Sequence, residues 1–462
     1  MRPKDLSSDT QYGLIMFGSI FIGFFLKGMK KRTSRKLIPA VIGFSLVVLF
    51  CEKQMFHSLL CLFVVTTLIK LHLKYSAILS FIWSFMYILG MNFCHFHQAF
   101  EEPSFITKRL HFLITLKLVG VSFDIKDFRR RQNTRKSLNC SKNYSYASNF
   151  DIEPSFFDLF SYTYCFAGIF TGPHYTFKTF TDFVNFPLKS FNETPFHIKN
   201  RKKITLLFIS SLLFVLFPKF TVYKSLAIES YSNVSFFRKI LYPFCIWAKM
   251  RLKFYTVWLS AELAFHALNF GVYPEITKPR PGCGPTCNFE KTASSNGSEM
   301  SSETIKNINP FKIETAMSVK EQIDGWNMTV KWWLGHYVYK RFPVKFLRPP
   351  VTMVTSACLH GIQAGLYMTS LNLLLVSKAE KLLEKHVASS LPKALLPLFK
   401  FYSWFMAFRA AEYMTVVGHF TMDEILKMWE FMNWYIHVYC VVIIVVLSCA
   451  ARSKFSSKLK SY

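Results

Sequence analysis

The chain has 462 residues, of which 51% are hydrophobic, and it contains 50 phenylalanines. Lysine and arginine together number 56 against 27 aspartates and glutamates, which gives a formal net charge of +29. A soluble protein of this length would usually form several domains joined by polar connections, whereas here apolar runs recur from end to end, and this excludes an ordinary soluble protein.

Uncharged stretches long enough, or nearly long enough, to cross a bilayer recur along the chain. In chain order they cover residues 10–26, 37–51, 54–69, 75–100, 159–177, 204–218, 349–377 and 431–451. Apolar patterns interrupted by single charges add 105–123, 236–272 and 395–420. The sequence therefore predicts an all-α polytopic membrane protein, with about 9–11 transmembrane helices plus re-entrant or interfacial helices, in one multi-pass domain over residues 1–462.

The positive charge lies in short loops between the apolar runs, such as KGMKKRTSRK and KNRKK. Short basic loops of this kind set the orientation of membrane helices and contact anionic lipid headgroups. They also attract soluble molecules that carry phosphates. We therefore expect membrane lipids as partners and no nucleic acid, and the sequence contains no pattern that sets an oligomeric state.

Residues 278–309 are rich in proline, glycine, serine and asparagine, which predicts a flexible loop insertion. Within it, Cys283 and Cys287 in PGCGPTC have a spacing that allows pairing or metal binding. No second cysteine or histidine pair follows at zinc-finger spacing, so we favour a plain loop and expect no metal site.

Several common catalytic patterns are absent from the sequence. It contains no G-x-x-x-x-G-K-[ST], no G-x-S-x-G, no H-E-x-x-H and no H-x-x-x-x-D. Few acidic residues lie inside the apolar runs, which argues against a proton-coupled transporter. Glu262 and His266 are spaced to face each other on a helix, and the expected role is a buried polar pair that joins two helices.

Two polar stretches carry the candidate functional residues. One is DGWNMTVKWWLGHYVYKRFP at 324–343, which by itself is typical of an amphipathic helix at the membrane interface. The other is SACLHG, which puts His360 inside the uncharged run 349–377. A single histidine in such a run is usually a satisfied residue between helices.

Together the two stretches resemble the membrane-bound O-acyltransferase family. The shared pattern is W-N-x-x-x-x-x-W, then a short basic turn, then a membrane helix with a histidine 33 residues after the asparagine. SYTYCFAGIFTGPHYTFKTFTDF at 161–183 resembles the phospholipid-acylating branch of the family, and FMAFRAAEYMTVVGHF at 405–420 resembles its late helical region. The resemblance implies helices around a central tunnel, with Asn327 and His360 facing that tunnel as the catalytic residues.

The resemblance further implies a lysophospholipid O-acyltransferase of the endoplasmic reticulum membrane. Its acceptor would be lysophosphatidylinositol, acylated at the sn-2 hydroxyl, and its donor a polyunsaturated acyl-CoA such as arachidonoyl-CoA, with no further cofactor. His360 is suited to take the hydroxyl proton, and Asn327 can donate hydrogen bonds to the hydroxyl, the ring or the oxyanion. The residues expected to bind the substrates are aromatic or basic: Trp326, Trp332, Trp333, Tyr339, Lys331, Lys340 and Arg341.

The chain departs from the family pattern around the histidine. Where the pattern has S-A-x-W-H-G-x-x-P-G-Y, the sequence reads S-A-C-L-H-G-I-Q-A-G-L. Leu359 thus replaces an aromatic residue, Ala364 a proline and Leu366 a tyrosine, changes that bear on tunnel width and helix bending. Three alternatives stay open: an acyltransferase for another lysophospholipid (choline, ethanolamine or serine), a protein O-acyltransferase of the same family, and a non-enzymatic lipid-binding membrane protein.

The sequence WNMT also has the pattern of an N-glycosylation site. If Asn327 is a site residue instead, Thr329→Ala destroys the glycosylation pattern but keeps the amide. The sequence alone therefore predicts that Thr329→Ala leaves most of the activity.

Overall fold

The computed structural model describes residues 8–96, 103–135, 150, 152–186, 196–217, 235–287, 299–418 and 420–460. Helices make up nearly all of the regular structure in these ranges, so the prediction of an all-α fold is confirmed. In chain order they are α1 (Ser8–Leu26), α2 (Arg32–Cys51), α3 (Met55–Lys70), α4 (Ser76–Phe96), α5 (Phe105–Arg135), α6 (Phe156–Tyr164), α7 (Phe177–Asn185), α8 (Phe196–Lys199), α9 (Arg201–Leu216), α10 (Phe236–Ala267), α11 (Pro310–Glu314), α12 (Val319–Gly325), α13 (Met328–Trp333), α14 (Arg348–Cys358), α15 (Ala364–His386), α16 (Leu396–Thr415), α17 (Met422–Phe431) and α18 (Tyr435–Lys460).

Shorter elements connect these helices. The described strands are β1 (Tyr273–Pro274) and β2 (Met300–Ser301), which pair antiparallel. A π-helical turn, Leu334–Tyr339, continues α13. Single 3₁₀ turns lie at Glu52–Gln54, Glu275–Thr277, Glu303–Ile305, Lys345–Leu347, Ala388–Ser390 and Lys393–Leu395.

Reciprocal caps fix the start of two helices. At α6, the Ser155 Oγ accepts from the Asp158 N–H at 3.2 Å, and the Asp158 carboxylate accepts from the Ser155 N–H at 2.9 Å. Thr421 and Glu424 form the same arrangement at α17. Each cap satisfies two peptide N–H groups that have no partner within a helix.

Two described helical stretches are long and apolar enough to cross a membrane: Arg32–Lys70 and Ser76–Phe93. Met422–Phe431 and Tyr435–Ala451 pass the same test only as a pair, and they meet at a bend of 77°. Large apolar side chains are exposed on other helices too, for example Phe25 at 86% and Phe208 at 67%. Exposed apolar surface of this extent indicates contact with lipid. The larger count of about 9–11 spans stays a prediction.

The chain divides into two compact units, and the single multi-pass domain over residues 1–462 stays a prediction. The first unit comprises Met1–Ser211, Phe254–Ile308 and Asn327–Arg341. Aromatic rings fill its core, where the Tyr175 ring lies 4.7 Å from Phe270 and 5.7 Å from Tyr162. The buried Lys117 ammonium donates to the Tyr162 carbonyl at 3.0 Å and to the Tyr175 hydroxyl at 2.9 Å, which satisfies a charge that would otherwise be costly to bury.

The second unit comprises Leu212–Lys253, Asn309–Trp326 and Phe342–Tyr462. Here α15 packs against α16 and α18. The Thr369 hydroxyl on α15 donates to the Met414 carbonyl at 2.8 Å, and the Glu380 carboxylate accepts from the Val319 N–H at 2.8 Å. Helix α15 is therefore joined by side-chain hydrogen bonds both to α16 and to the start of α12.

The flexible loop predicted at 278–309 is packed in its described parts. The Gly282 N–H donates to the Thr304 carbonyl at 2.8 Å, and the Thr286 N–H donates to the Thr277 carbonyl at 2.9 Å. Thr304, Ile305 and Ile308 are buried. The composition misled the prediction for these flanks because their turn-forming residues make hydrogen bonds within the fold. Residues 288–298 lie outside the described part of the chain.

Candidate active site

Asn327 lies between α12 and α13 in the chain. Its φ of 43° and ψ of 51° place it in the left-handed region, where asparagine is tolerated better than most residues. It occupies the position that caps α13, yet its side chain makes no capping hydrogen bond. The side-chain amide is therefore not used to begin the helix.

Asn307 makes the bonds that an N-cap would make. Its carbonyl oxygen accepts from the Met328 N–H at 2.8 Å. Its Oδ1 accepts from the Thr329 hydroxyl at 2.6 Å and from the Thr329 N–H at 3.3 Å. Asn307 and Thr329 are both buried, so the hydrogen bond between them is stronger than it would be in water, and leaving either group without its partner is costly.

Glu262 holds Asn307 in turn. Its Oε1 accepts from the Asn307 N–H at 2.7 Å and from the Ile308 N–H at 3.1 Å, and its Oε2 lies 2.5 Å from the Lys203 ammonium. Lys203 also lies 3.3 Å from Nε2 of His266. Glu262 and His266 thus both contact Lys203 of α9, and through it they link α9 to α10.

The segment after α6 contacts the asparagine stretch directly. The His174 N–H, in the TGPHY turn, donates to the Thr329 Oγ1 at 3.0 Å. The side chain of His174 is buried, and neither of its ring nitrogens has a hydrogen-bond partner in the described part of the chain. Two stretches singled out in the sequence, 161–183 and 324–343, therefore meet at Thr329.

The aromatic residues predicted to bind substrate differ in their surroundings. Trp333 is fully buried and donates its indole N–H to the Leu116 carbonyl at 2.9 Å, so it packs α13 against α5. Trp332 stacks on His336 with ring centroids 4.9 Å apart. Tyr339 is 41% exposed. Trp326 belongs to the second unit and packs on Trp247 at 5.5 Å.

The basic residues of the same stretch also differ. Lys331 and Lys340 are exposed. Arg341 is held by Asp127, to which its two terminal nitrogens donate at 3.2 Å and 2.6 Å. A bidentate pair of this kind occupies the face of the guanidinium that a phosphate would use. Lys340 is therefore better placed than Arg341 to meet an anionic substrate.

His360 lies in a break between two helices, and the prediction of a continuous membrane helix through 349–377 is wrong here. Helix α14 ends at Cys358 and α15 begins at Ala364. Gly361 follows the histidine with a φ of 118°, a conformation that ends a helix and that other residues rarely adopt. The His360 side chain is exposed, in contrast to a histidine held between packed helices.

The break is fixed on its α15 side. The Tyr367 hydroxyl donates to the Gly361 carbonyl at 2.8 Å. A Cβ on Gly365 would collide with the Val417 carbonyl, so glycine is required there. Ala364 is the first residue of α15, a position that favours proline, which accounts for the proline of the family pattern. The break persists with alanine at this position because the conformation of Gly361, the close approach at Gly365 and the bond from Tyr367 do not depend on a proline.

The described residues include no group of three or more histidine, cysteine, aspartate or glutamate side chains placed to hold a metal ion. Cys283 and Cys287 are free thiols. The second unit therefore offers an exposed imidazole, and the first unit by itself offers an amide donor and exposed lysines. These are groups suited to proton transfer and hydrogen bonding.

The helical fold, together with the asparagine and the histidine of the pattern W-N-x-x-x-x-x-W followed by a histidine, agrees with a membrane-bound acyl-transfer enzyme. The model of the membrane-bound O-acyltransferase family matches residues 65–417, and the chain belongs to that family. It is an enzyme, and the prediction of a polytopic membrane protein is confirmed.

Relatives from several vertebrates are similar along almost the whole chain. The membrane-bound acylglycerophosphatidylinositol O-acyltransferase mboat7 of Danio rerio is 26% identical over 96% of this chain and 92% of its own. The protein of the same name from Xenopus laevis is 28% identical over 96% and 93%. The Homo sapiens protein is 28% identical over 92% and 90%.

Asn307, and the contacts of Glu262 and Lys203 that hold it, were not predicted from the sequence as parts of the site. Asn307 lies in a stretch whose composition indicated a loop, and only its tertiary contacts reveal its role. Glu262 was noted for its spacing to His266, and that spacing carries no information on its bonds to the peptide N–H groups of Asn307 and Ile308.

Proposed function

We propose that the chain is an acyl-CoA-dependent lysophospholipid acyltransferase that acylates the sn-2 hydroxyl of lysophosphatidylinositol in the endoplasmic reticulum membrane. The observation that carries the proposal is the similarity to relatives named for acylglycerophosphatidylinositol, which covers at least 90% of both chains in the three comparisons above. The proposed donor is a polyunsaturated acyl-CoA such as arachidonoyl-CoA.

In the proposed reaction His360 acts as general base and Asn327 as hydrogen-bond donor. The imidazole takes the proton of the acceptor hydroxyl as its oxygen attacks the thioester carbonyl. The carbonyl oxygen gains negative charge in the tetrahedral intermediate, and an amide N–H stabilises charge of this kind. When the C–S bond breaks, the coenzyme A thiolate leaves and the proton held by the imidazole can pass to the sulfur.

The exposed side chain of His360 supports this role, because a general base must reach the proton that it removes. The side-chain amide of Asn327 makes no capping hydrogen bond to the helix that begins at Met328, which supports its proposed role as a hydrogen-bond donor. The exposed Lys331 and Lys340 are proposed to attract the phosphates of acyl-CoA.

An inositol headgroup offers hydroxyls and no positive charge, unlike choline. The asparagine and lysines of residues 327–340 suit an anionic acceptor with hydroxyls, and a choline site would be expected to present an aromatic cage or a carboxylate. A site built to pair hydroxyls rejects lipids that lack them, because its polar groups are then left unpaired.

A competition assay tests the substrate directly. Membranes that contain the protein receive equal amounts of lysophosphatidylinositol, lysophosphatidylcholine, lysophosphatidylethanolamine and lysophosphatidylserine with one labelled acyl-CoA. The proposal expects phosphatidylinositol to dominate the products, and arachidonoyl-CoA to outcompete palmitoyl-CoA as donor. Dominance of another phospholipid would overturn the headgroup assignment. Acylation of a peptide serine without any lipid product would overturn the phospholipid assignment altogether.

A further inference from the structure

Helix α13 begins without help from the side chain of its own cap residue. The first N–H groups of a helix have no partner within it, and the side chain at the cap position commonly supplies one. Asn327 holds that position and does not supply it. Asn307 accepts from two of these N–H groups instead. Its carbonyl oxygen accepts from the Met328 N–H at 2.8 Å, and its Oδ1 accepts from the Thr329 N–H at 3.3 Å.

The capping of α13 by Asn307, in place of Asn327, has a chemical consequence. A side chain that caps its own helix is turned back towards the peptide N–H groups and cannot also meet a substrate. Because Asn307 satisfies these groups from a distant part of the sequence, the Asn327 amide stays available. The Thr329 hydroxyl secures the arrangement through its 2.6 Å bond to the Asn307 Oδ1.

Glu262 holds Asn307, the residue that caps α13, in place. It is 0% exposed, and its Oε1 accepts from two consecutive N–H groups, those of Asn307 and Ile308. Its other oxygen is paired with Lys203 of α9. The carboxylate therefore ties the Asn307 segment to two long helices, which makes the position of Asn307 depend on the helical framework.

We propose that Asn307 and Glu262 are positioning residues for Asn327. They hold the left-handed backbone at Asn327 and leave its amide unused by the helix that follows. A non-glycine residue in this conformation persists only when its surroundings enforce it. The inference rests on the proposed function, which makes Asn327 a residue of the reacting site.

A double-mutant cycle tests the inference on the full-length enzyme in membranes. Asn307→Ala is expected to lower kcat by about 10- to 100-fold, the scale of a displacement of about 1 Å at a reacting group, with KM values changed by less than about twofold. Asn327→Ala removes the group that Asn307 positions. The double variant is therefore expected to be no slower than Asn327→Ala alone, because a positioning residue has nothing left to position.

Two further variants separate positioning from a general effect on folding. Asn307→Asp keeps the acceptor oxygens, and aspartate caps helices as well as asparagine does, so it is expected to restore at least about a third of kcat. Asn92→Ala is the matched control, because the Asn92 amide donates only to the Ile88 carbonyl of its own helix, at 2.8 Å. It is expected to leave kcat unchanged.

The outcomes distinguish this inference from the proposed function. If Asn327→Ala keeps the kcat of the unmodified enzyme, the catalytic role of Asn327 and this inference both fall, while the acyltransferase activity stands. If the unmodified enzyme acylates no lysophospholipid, the proposed function itself falls. If Asn327→Ala has a low kcat and Asn307→Ala lowers it further by the same factor as in the unmodified enzyme, only the positioning inference is overturned. The same holds if Asn307→Asp is as slow as Asn307→Ala. Should Asn307→Ala fail to accumulate, the cycle is run with Glu262→Gln, which keeps one acceptor oxygen and removes the ion pair. Its partial loss of kcat must again vanish in the Asn327→Ala background.

Discussion

The His174 N–H donates to the Thr329 Oγ1 at 3.0 Å, and this bond joins two stretches that are 155 residues apart in the chain. The same hydroxyl donates to the Asn307 Oδ1 at 2.6 Å. Thr329 thus joins three segments, and it lies two residues after the asparagine of the proposed site. Its burial also makes the WNMT stretch a poor candidate for glycosylation, since an acceptor site lies on the surface.

Thr329→Ala is expected to destabilise the protein and slow it, contrary to what the sequence alone predicts. The change leaves the buried His174 N–H without its acceptor and the Asn307 Oδ1 without one donor, at a cost of about 1–3 kcal/mol. Thr329→Ser keeps the hydroxyl and is the matched control. The apparent Tm in detergent, measured by fluorescence-detected size-exclusion chromatography, should fall by several degrees for alanine and little for serine. Equal Tm values for all three proteins would contradict the role of the hydroxyl.

Lys340 and Arg341 are expected to respond differently to replacement by alanine. Lys340→Ala removes an exposed cation and should raise KM for acyl-CoA about two- to tenfold, with less effect at high salt. Arg341→Ala should act mainly on stability, by about 1 kcal/mol, because it leaves the Asp127 carboxylate unpaired at a partly exposed site.

Initial rates over a range of acyl-CoA concentrations check this pair of expectations. Lys393→Ala removes another exposed lysine and serves as the control for net charge. A larger KM effect from Arg341→Ala than from Lys340→Ala would show that a phosphate competes successfully with Asp127.

The two cysteines of PGCGPTC are expected to differ in reactivity. Burial raises the pKa of Cys283 to about 11, with Arg280 opposing the shift, whereas Cys287 is exposed. Only the thiolate reacts with iodoacetamide, so near pH 8 Cys287 should be alkylated well before Cys283. The rate at Cys283 should keep rising as the pH approaches 11. Mass spectrometry of the peptide after timed alkylation measures both rates, and equal rates near pH 8 would contradict the packed conformation of this segment.

The sequence predicted the parts of the fold that depend on hydropathy and on local pattern. The apolar runs located helices such as Arg32–Cys51 and Ser76–Phe96, and the spacing of Asn327 and His360 led to the family. It could not predict the break at His360, because residues 349–377 carry no charge that would interrupt a span. The break depends on the conformation of Gly361 and on the bond from Tyr367.

Long-range polar contacts could not be predicted from the sequence for a different reason. A cap supplied by Asn307 to a helix that begins at Met328 leaves no trace in spacing, because neither residue belongs to a periodic pattern. The composition around Asn307 even predicted a flexible loop. Its order comes from buried neighbours such as Ile305 and from the carboxylate of Glu262, which only the folded chain brings together.

The proposal that His360 removes the proton of the lipid hydroxyl is tested by comparing the unmodified enzyme with His360→Ala. Purified proteins are mixed with lysophosphatidylinositol and labelled arachidonoyl-CoA, and formation of phosphatidylinositol is followed at saturating concentrations. We expect a fall in kcat of about 10²–10⁴-fold, the usual contribution of a general base, with unchanged expression and elution profile. A His360→Ala protein with near-normal kcat would contradict it.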